Sequence, residues 1–410
     1  MRILFLSQRF LLPMDTGGKI RTGKILEQLS REHEIVIVGN YDPVADGPRL
    51  EEMQRFCRRY VPVAWKEPAR GSVAFYWRLA KNLLSRYPVT ALNDYSRELE
   101  RALLDTLAGE SFDLAICDFV QSALMFKHVT GIPTLLFQHN VEAKIALRHL
   151  DAATNVFTRT LWSGQHRRMF AFEAESVRAF DKVIAVSDND ADIFAAEYGA
   201  RNAVSIPTGV DVDFYEPGTS AAIKPNRIVF CGSMDWLPNE DGIKYFLAEI
   251  APALSALEDD WELVVVGRNP SEAMKADAAR LGNVELTGWV DDVRPYLREA
   301  AVCIVPLRIG GGTRMKIYEA MAMGKAVIST TVGAEGLDVT DNVNIRLVDD
   351  PAQFATAMSE LLRDPARRDA IGEAARELVV EHFGWATVAA RFGEICRETA
   401  ESERHDGHRT

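Results

Sequence analysis

The chain has 410 residues, of which 47% are hydrophobic and 9% aromatic, a globular composition in a length that exceeds one hydrophobic core. Its formal net charge of −12 excludes nucleic acid as the main partner, because binding to phosphate backbones needs a basic surface. No apolar segment of the sequence approaches the roughly 20 residues of a membrane-spanning helix.

Short apolar segments alternate with longer amphipathic ones along the chain, a pattern typical of parallel sheets wound with helices. The opening apolar run is too short for the core of a signal peptide and predicts a buried first strand instead. The strands predicted for the first half are Ile3–Ser7, Ile35–Val38, Leu114–Cys117, Thr134–Phe137 and Val183–Val186. Those predicted for the second half are Ile228–Cys231, Glu262–Val266, Val284–Leu286, Val302–Val305 and Ala326–Ser329.

Prolines at positions 207, 217 and 225 interrupt this pattern and predict a linker. We therefore predict an N-terminal Rossmann-like domain over residues 1–206, a linker over 207–225 and a second Rossmann-like domain over 226–380. A helix is predicted over 381–400 and a polar tail over 401–410.

Charge is distributed unevenly along the chain. Residues 1–200 contain 25 Lys and Arg against 25 Asp and Glu, leaving 22 against 34 in the second half. One segment of the first half is strongly basic, with eight cations opposed by Glu67 alone: Arg55, Arg58, Arg59, Lys66, Arg70, Arg78, Lys81 and Arg86. Aromatic residues interleave there: Phe75, Tyr76, Trp77 and Tyr87. The segment is typical of a solvated helical face, or of a surface that contacts an anionic membrane or a lipid phosphate.

Five cysteines are scattered at positions 57, 117, 231, 303 and 396 without a CxxC pair. Neither a disulfide framework nor a zinc site fits this arrangement, so the cysteines predict a reducing, cytoplasmic location.

The loop after the first predicted strand contains Gly17 and Gly18 directly before a helical pattern that starts near Lys19. Glycines let the backbone approach a ligand closely, and free N–H groups at a helix start attract anions. Together with the cations of Lys19 and Arg21, this loop predicts an anion-binding site. The alternative is a plain strand-to-helix turn with exposed cations, since no GxGxxG is present.

A glycine run, Gly310–Gly312, follows the predicted strand Val302–Val305 and precedes Thr313, a natural helix N-cap. Arg314 and Lys316 then fall in the first turn of a predicted helix, where the helix dipole disfavours cations. Cations at this position are explained if an anion binds beside them. The pattern therefore favours a site for a nucleoside diphosphate.

Glu319 follows one helical turn after these cations. A carboxylate there can accept two hydrogen bonds from a vicinal diol, such as that of a ribose. The alternative is a simple ion pair between Lys316 and Glu319 on the helix surface.

The segment GGGTRMKIYEAMAMGKAVIST resembles the donor-binding signature of family 4 glycosyltransferases, which are retaining enzymes. The resemblance extends over nearly the whole chain through TGGKIRTGKILEQLSREHEIVIV, KVIAVSDNDADIF, VSIPTGVDVDFYEP and VELTGWVDDVRPYLREAAVCIVP. It implies an α/β GT-B fold, in which two Rossmann-like parallel-sheet domains face each other across a cleft. It also implies that the last helix crosses back onto the first domain.

Two positions depart from the family pattern. The signature commonly contains two glutamates; Glu319 matches the second, but Gly311 stands at the first. The first strand of the second domain is usually followed by Gly-Arg and a nearby lysine that contact the donor pyrophosphate, whereas this chain has Gly232 and Ser233 and no lysine before Lys244. Gly232 and Ser233 remain predicted donor-binding residues. We expect Arg314 and Lys316 to supply the missing charge.

Two further polar groups follow predicted strands of the first half, where ligands of open parallel sheets bind. Asp118 stands where many family members have a histidine that faces the donor sugar. His139 lies between Gln138 and Asn140, directly after another strand. We predict catalytic roles for Asp118 and His139, with a structural role as the alternative for the histidine.

The predicted reaction is transfer of a sugar from a nucleoside diphosphate-sugar to a hydroxyl acceptor, a glycan or lipid-linked glycan, with retained configuration. Arg314 and Lys316 would stabilise the departing pyrophosphate in place of a metal ion, and no cofactor is expected. The basic segment adds the prediction of a peripheral membrane contact on the cytoplasmic face. The alternatives are a sugar-nucleotide epimerase of the same fold and a non-catalytic nucleotide-sugar-binding partner of another transferase.

Overall fold

The structure is a computed structural model that describes residues 1–66, 72, 82, 85–151, 153, 155–218, 223–309 and 314–406, with side chains up to residue 402. The chain forms two compact units. The first contains Met1–Pro207 and Val388–Thr410, and the second contains Thr208–Thr387.

A parallel sheet forms the centre of the first unit. Within the described residues it has seven strands in the order β3-β2-β1-β4-β5-β6-β7, and all neighbours are parallel. The strands are β1 Arg2–Ser7, β2 Glu34–Tyr41, β3 Arg59–Ala64, β4 Leu114–Asp118, β5 Thr134–Phe137, β6 Lys182–Ala185 and β7 Ala203–Ser205. Helices and 3-10 turns connect these strands: α1 Gly17–Leu29, α2 Val89–Asp94, α3 Arg97–Gly109, α4 Glu142–Asp151, α5 Val156–Ala179 and α6 Asp188–Ala196, with 3-10 segments at Gly47–Arg55 and Val120–Phe126.

The second unit has the same architecture. Its described residues form a six-stranded parallel sheet in the order β10-β9-β8-β11-β12-β13. The strands are β8 Arg227–Cys231, β9 Glu262–Val266, β10 Val284–Gly288, β11 Val302–Val305, β12 Ala326–Ser329 and β13 Arg346–Leu347. The helices are α7 Leu237–Tyr245, α8 Ala251–Ser255, α9 Glu272–Leu281, α10 Arg294–Glu299, α11 Met315–Ala322, α12 Pro351–Arg363 and α13 Pro365–His382, with a π-helical turn at Phe246–Ile250. The final helix, α14 Trp385–Asp406, begins in the second unit and belongs to the first unit from Val388 onward.

All ten strands predicted from the sequence are present, with ends shifted by at most a few residues. Their apolar runs are visible because strands that are buried on both faces need nearly continuous hydrophobic side chains. The sequence missed β3, β7 and β13, which are all edge strands of their sheets. These edge strands are mostly partly exposed and therefore lack such a run.

Residues 208–218, which the sequence assigned to a linker, pack within the second unit. The Val210 N–H donates to the Phe383 carbonyl oxygen at 2.7 Å, and Val210 is buried. A Cβ atom on Gly209 would lie 2.5 Å from the ring of Trp385. At the other end of the chain, α14 extends to Asp406, into the segment predicted as a polar tail.

The first part of the basic segment differs from the predicted helical face. Its first part forms β3, and three of its arginines form ion pairs with carboxylates from distant parts of the sequence: Arg55 with Glu27, Arg58 with Glu34 and Arg59 with Glu110. These arginines are therefore paired, with Glu34 and Glu110 shared with Arg2, which the sequence could not show. Several other members of the segment lie outside the described residues: Arg70, Phe75, Tyr76, Trp77, Arg78 and Lys81.

Among the described residues, the structure contains no helix whose length and apolar composition would let it cross a membrane.

Candidate functional site

Most of the predicted site residues lie on the carboxyl edges of the two sheets, where loops leave the strands and ligands of such sheets bind. In the first unit, Asp118 is the last residue of β4, and His139 follows β5 by two residues. In the second unit, Gly232 follows β8, and α11 carries Lys316 and Glu319. Each unit therefore has its own cluster of candidate residues.

The first cluster brings Asp118 and His139 into direct contact. The His139 Nε2 atom lies 2.8 Å from Asp118 Oδ1, and the Thr22 hydroxyl donates to both Asp118 carboxylate oxygens at 3.2 Å. Only 2% of Asp118 and 6% of His139 are exposed, so neither side chain is available at the surface as the sequence suggested. The pair is a buried hydrogen-bonded dyad.

Two aromatic rings enclose the imidazole of this dyad. The Phe119 ring stacks on His139 with ring centroids 4.0 Å apart, and the Phe137 ring lies 4.5 Å away. Phe119 has a φ of 62°, a strained value for a bulky residue. A Cβ atom on Gly18 would lie 2.5 Å from the Phe119 ring, so this glycine is needed for packing whatever its role in binding.

Burial lowers the pKa of His139, although the Asp118 carboxylate opposes this shift. The neutral ring must donate through Nε2, because the carboxylate facing that atom accepts hydrogen bonds. Nδ1 is then an acceptor, and it has no hydrogen-bond partner among the described residues. A buried acceptor of this kind can take a hydrogen bond from a hydroxyl group.

Arg21 does not form part of the predicted anion site. Its guanidinium is 2% exposed and donates to the backbone carbonyls of Gln138, Ala185 and Ile206, while it also lies over the Phe137 ring. On a helix one residue can face the core while its neighbour faces solvent, and Arg21 faces the core. The prediction of a ligand-binding role for Arg21 was therefore wrong, and its role is structural.

The start of α1 remains open to an anion. The helix begins at Gly17, and its N-cap residue Thr16 makes no side-chain hydrogen bond to the helix start. Lys19 lies 3.2 Å from Asp15, so part of its charge is already compensated. Gly17 and Lys19 stay predicted anion-binding residues, without the help of Arg21.

The second cluster is centred on the ammonium group of Lys316. This group donates to Asn239 Oδ1 and lies 4.4 Å from the centroid of the Phe230 ring. A Cβ atom on Gly232 would lie 2.8 Å from Lys316 Nζ and 2.7 Å from Asn239 Nδ2, so only glycine fits there without a shift. The predicted donor-binding glycine and the predicted catalytic lysine are therefore in contact.

Glu319 is paired with Tyr215 rather than with Lys316. The Tyr215 hydroxyl forms a hydrogen bond with the Glu319 carboxylate, and burial raises the pKa of this glutamate despite the nearby Lys316 ammonium. The alternative of an ion pair between Lys316 and Glu319 is thus absent from this part of the described structure. A tyrosine donor therefore orients the carboxylate.

Ser233 is held by an arginine that the sequence analysis missed. Arg268 Nε lies 2.9 Å from Ser233 Oγ and 3.3 Å from Asp235 Oδ2. The Ser233 hydroxyl lies 2.5 Å from Asp235 Oδ1. Arg268 follows β9 by two residues and its side chain is 54% exposed, so a cation does stand beside Ser233, but it comes from the neighbouring strand. Inspection of every strand end for cations, rather than of glycine loops alone, would have found it.

Arg314 occupies a different position from the one predicted. It is the N-cap residue of α11 in the left-handed conformation, with a φ of 51°, and the helix begins at Met315. Its side chain is 4% exposed, donates to the Val332 carbonyl oxygen at 3.0 Å and lies 3.5 Å from Glu335. The predicted place of Arg314 in the first turn is therefore corrected to the N-cap, and these contacts fix its guanidinium within the protein.

The glycine run and its predicted N-cap, formed by Gly310, Gly311, Gly312 and Thr313, lie outside the described residues. Their donor-binding role stays a prediction. In the part of the chain that the structure describes, no group of three or more His, Cys, Asp or Glu side chains is arranged to hold a metal ion.

Comparison with known families identifies the chain. The family model described as "Glycosyltransferase Family 4" matches residues 17–214, which include the first cluster. The model described as "Glycosyl transferases group 1" matches residues 225–364, which include the second. The chain belongs to glycosyltransferase family 4. Both candidate clusters therefore lie in the regions that define this family.

Curated relatives match part of this family 4 chain. It is 31% identical over 244 residues to a D-inositol 3-phosphate glycosyltransferase of Kribbella flavida, covering 53% of this chain and 56% of the relative. It is 30% identical over 227 residues to a phosphatidyl-myo-inositol mannosyltransferase of Mycobacterium leprae, covering 53% of this chain and 59% of the relative. The matches thus span less than two thirds of each relative.

Solved structures show that the fold is GT-B. The sucrose-phosphate synthase of Thermosynechococcus elongatus superposes with a TM-score of 0.67 at 18% identity, covering 98% of this chain and all of the other. HepE of Anabaena in complex with UDP-glucose gives a TM-score of 0.60 at 15% identity and covers 97% of this chain and all of the other. At these identities the likeness concerns the fold alone.

The titration of the Lys316 ammonium group provides a test of the second cluster that does not require a measurement of enzymatic activity. Burial lowers the pKa of its ammonium to about 8, although the Glu319 carboxylate opposes this shift. A bound diphosphate favours the charged ammonium and raises this pKa, so at pH 8 binding should take up about half a proton. Above pH 8 the affinity should fall as pH rises, because the free enzyme must then be protonated in order to bind.

Calorimetric titration with UDP and GDP in buffers of different ionisation enthalpy would measure this proton uptake. Lys316→Arg keeps the charge but removes the titration in this range, so proton uptake should disappear in that variant. A wild-type protein that binds either nucleotide without buffer-dependent heat at pH 8 would contradict the placement of the phosphates beside Lys316.

Proposed function

We propose that this family 4 member transfers a sugar from a nucleoside diphosphate-sugar to a hydroxyl acceptor, with retention of the anomeric configuration. The observation that carries this proposal is the contact between the Lys316 ammonium and Gly232 at the end of β8, one helical turn from Glu319. The Lys316 ammonium, next to backbone that carries no side chain at Gly232, can bind a diphosphate. The Glu319 carboxylate, oriented by Tyr215, can accept hydrogen bonds from the ribose diol.

The reaction breaks the bond between C1 of the sugar and the oxygen of the adjoining phosphate, and forms a bond between C1 and the acceptor oxygen. The electron pair leaves with the nucleoside diphosphate, and the acceptor proton passes to a departing phosphate oxygen. Lys316 stabilises the negative charge that grows there, in a position where burial strengthens the interaction. The resemblance to retaining enzymes supports attack on the face from which the phosphate departs.

The donor is a nucleoside diphosphate-hexose in this proposal. A related mycobacterial enzyme is described as a GDP-mannose-dependent mannosyltransferase, and the fold neighbour HepE is described in complex with UDP-glucose. Lys316 and the N–H groups at the start of α11 carry the role of a metal ion, so we propose that transfer requires no divalent cation.

The proposed acceptor is a glycan or a lipid-linked glycan, and the first cluster is its candidate site. His139 Nδ1 has the lone pair needed to accept a hydrogen bond from a hydroxyl, and the Asp118 carboxylate fixes the ring that carries it. The similarity to a phosphatidyl-myo-inositol mannosyltransferase supports an acceptor that is carried by a lipid.

Arg268 should contribute to donor binding as the cation nearest to Ser233. We expect Arg268→Ala to raise the KM for the nucleotide-sugar about tenfold, because it removes one charged hydrogen-bond donor from the end of β9. Arg280→Ala is a matched control, since Arg280 is also an exposed arginine paired with an aspartate in the same unit. Equal KM values for both variants would exclude Arg268 from the donor site.

Incubation of the purified protein with individual nucleotide-sugars, with and without candidate acceptors, tests the function. Thermal shift measurements first select the nucleotide-sugars that bind, and product analysis then follows the sugar. Acceptor-dependent release of nucleoside diphosphate with an α-linked product from an α-linked donor supports the proposal. An inverted product contradicts retention, and loss of activity with EDTA contradicts the metal-free mechanism.

The same experiment separates the two alternatives. An epimerase would change the sugar of the nucleotide without any acceptor. A non-catalytic partner would bind the nucleotide-sugar but leave it unchanged, and Gly311 and Ser233 at motif positions are the features that favour this second candidate.

A further inference from the structure

The helical hairpin of α4 and α5 carries an apolar tip that the reaction does not explain. Val156 and Phe157 are the first two residues of α5 and are 83% and 79% exposed. Single exposed apolar residues are normal on protein surfaces, but two adjacent ones at the start of one helix are not required by the fold. We therefore asked which partner these side chains would suit.

The local structure holds both side chains outward. The Asn155 side chain accepts a hydrogen bond from Thr158 N at 2.9 Å and caps α5, so the helix start that presents Val156 and Phe157 is fixed. Below the tip, the rings of His149 and Trp162 stack with centroids 4.4 Å apart and join the two helices. The apolar tip is thus held in place by the helix cap and by the contact between the two helices of the hairpin.

The hairpin is basic in an acidic protein. Over residues 142–179 the sequence contains six Lys and Arg residues against four Asp and Glu residues, although the whole chain has a net charge of −12. Arg148 and Arg159 are exposed near the tip. Apolar side chains flanked by arginines complement an anionic bilayer, whose surface attracts the cations and whose interface accepts the apolar groups.

The position of the hairpin relates this surface to the first cluster. Helix α4 begins at Glu142, three residues after His139, and its ten residues span about 15 Å. The tip therefore lies at the far end of a helix that starts beside the acceptor candidate. An acceptor hydroxyl carried by a lipid at a bilayer surface is at a compatible distance.

We infer that the tip of the α4–α5 hairpin, formed by Val156 and Phe157 with Arg148 and Arg159, docks on an anionic lipid bilayer. This docking deepens the proposed function, on which it rests only for the identity of the acceptor. It also replaces the early part of the basic segment as the membrane-contacting surface, because Arg55, Arg58 and Arg59 are paired with carboxylates.

Vesicle flotation of the full chain tests the inference. Vesicles of phosphatidylcholine are compared with vesicles of phosphatidylcholine and phosphatidylglycerol. Wild type should float with the anionic vesicles in a salt-dependent manner, and Val156→Ser with Phe157→Ser should lower its partition coefficient roughly tenfold. Arg148→Gln with Arg159→Gln should lower binding to anionic vesicles and reduce its salt dependence.

Val44→Ser is the matched control for the apolar substitutions. Val44 is also 83% exposed and lies in the same unit, but Asp42 and Asp46 flank it instead of arginines. Its replacement should leave vesicle binding unchanged. Calorimetry with UDP or GDP and circular dichroism of each variant show whether the fold is intact.

Binding of the wild type that does not depend on vesicle charge would overturn the inference, and so would a tip variant that binds vesicles as well as the wild type does. A third contrary result is a wild type that binds no vesicles but self-associates in sedimentation velocity, when the tip variant does not self-associate. The last result would assign the tip to a second copy of the chain. Flotation requires neither donor nor transfer, so a protein that floats but never transfers sugar refutes the proposed function and leaves the docking surface standing.

Discussion

Replacement of Lys316 by methionine is expected to slow sugar transfer by roughly 10²–10³-fold, the effect of removing one preorganised charge from a developing anion. The ammonium is buried beside Gly232 and Asn239, so water cannot replace it efficiently. Methionine has a similar length and no charge, and the Phe230 ring beneath it is apolar. The loss should therefore fall on the chemistry rather than on the fold.

The measurement compares kcat with the dissociation constant for the nucleoside diphosphate. Because charge on the leaving group grows in the transition state, kcat should fall by more than the affinity for the product does. Lys244→Met is the control, since Lys244 is a half-exposed lysine of the same unit that pairs with Glu240 on its own helix. A Lys316→Met enzyme with kcat within about twofold of the Lys244→Met enzyme would remove Lys316 from the mechanism.

Arg314 should behave differently from Lys316 in the same assays. Its guanidinium is fixed against the Val332 carbonyl oxygen and Glu335, so truncation leaves a partly buried backbone acceptor without this partner. The sequence placed both cations in one role, whereas the structure indicates that Arg314 also stabilises the loop after β12. Any loss of activity in Arg314→Ala must therefore be compared with the change in thermal stability of the same variant.

The sequence predicted the central strands well because their burial dictates their composition. Strand β1 contains Ile3 to Leu6, all almost inaccessible to solvent, and a short apolar run of this kind is typical of a strand buried on both faces. The edge strand β3 contains Arg59 and Pro62 and mixes exposed with buried positions, so it resembled a polar connection. Pairing with β2 decides its conformation, and pairing partners are not visible in a local window.

The sequence predicted the positions of the candidate site residues but not the directions in which their side chains point. The strand-end rule located Asp118 and His139, yet no local pattern shows that their side chains turn inward beneath Phe119. The same limit applies to Arg21, which is two residues from Lys19 but faces the core, where it binds carbonyls from three separate segments. Contacts of this kind are long-range and follow only from the folded chain.

Residues that complete the second cluster come from outside the glycine-rich motif. Tyr215 precedes the sheet of the second unit, Asn239 lies on the helix after β8 and Arg268 follows β9. Each is an ordinary polar residue in its own segment. In the folded chain they lie close to α11 or to Ser233. The sheet order β9-β8-β11 contributes to this proximity, because it brings the ends of three strands side by side.

Replacement of Glu319 by alanine should weaken nucleoside diphosphate binding by roughly 1.5–3 kcal/mol, about 10- to 150-fold, if its carboxylate binds the ribose hydroxyls. The loss should appear in both nucleotide and nucleotide-sugar affinity, with a smaller effect on kcat, because the ribose contacts are the same in the ground and transition states. Circular dichroism of Glu319→Ala checks the fold, because the substitution also removes the hydrogen-bond partner of the Tyr215 hydroxyl.

Tyr215→Phe distinguishes a positioned carboxylate from a merely structural one. Without the tyrosine hydroxyl, Glu319 keeps its carboxyl group but loses the donor that orients it, so nucleotide affinity should fall by less than in Glu319→Ala. Comparison of a ribonucleotide with its 2′-deoxy analogue completes the test. Wild type should discriminate between UDP and 2′-deoxy-UDP, or between the corresponding guanine nucleotides, and Glu319→Ala should lose that discrimination. If wild type and Glu319→Ala prefer the ribonucleotide over the 2′-deoxy analogue by the same factor, the glutamate has a structural role with Tyr215. Only a direct contact between Glu319 and the diol makes the effect of the 2′-hydroxyl on affinity depend on this residue.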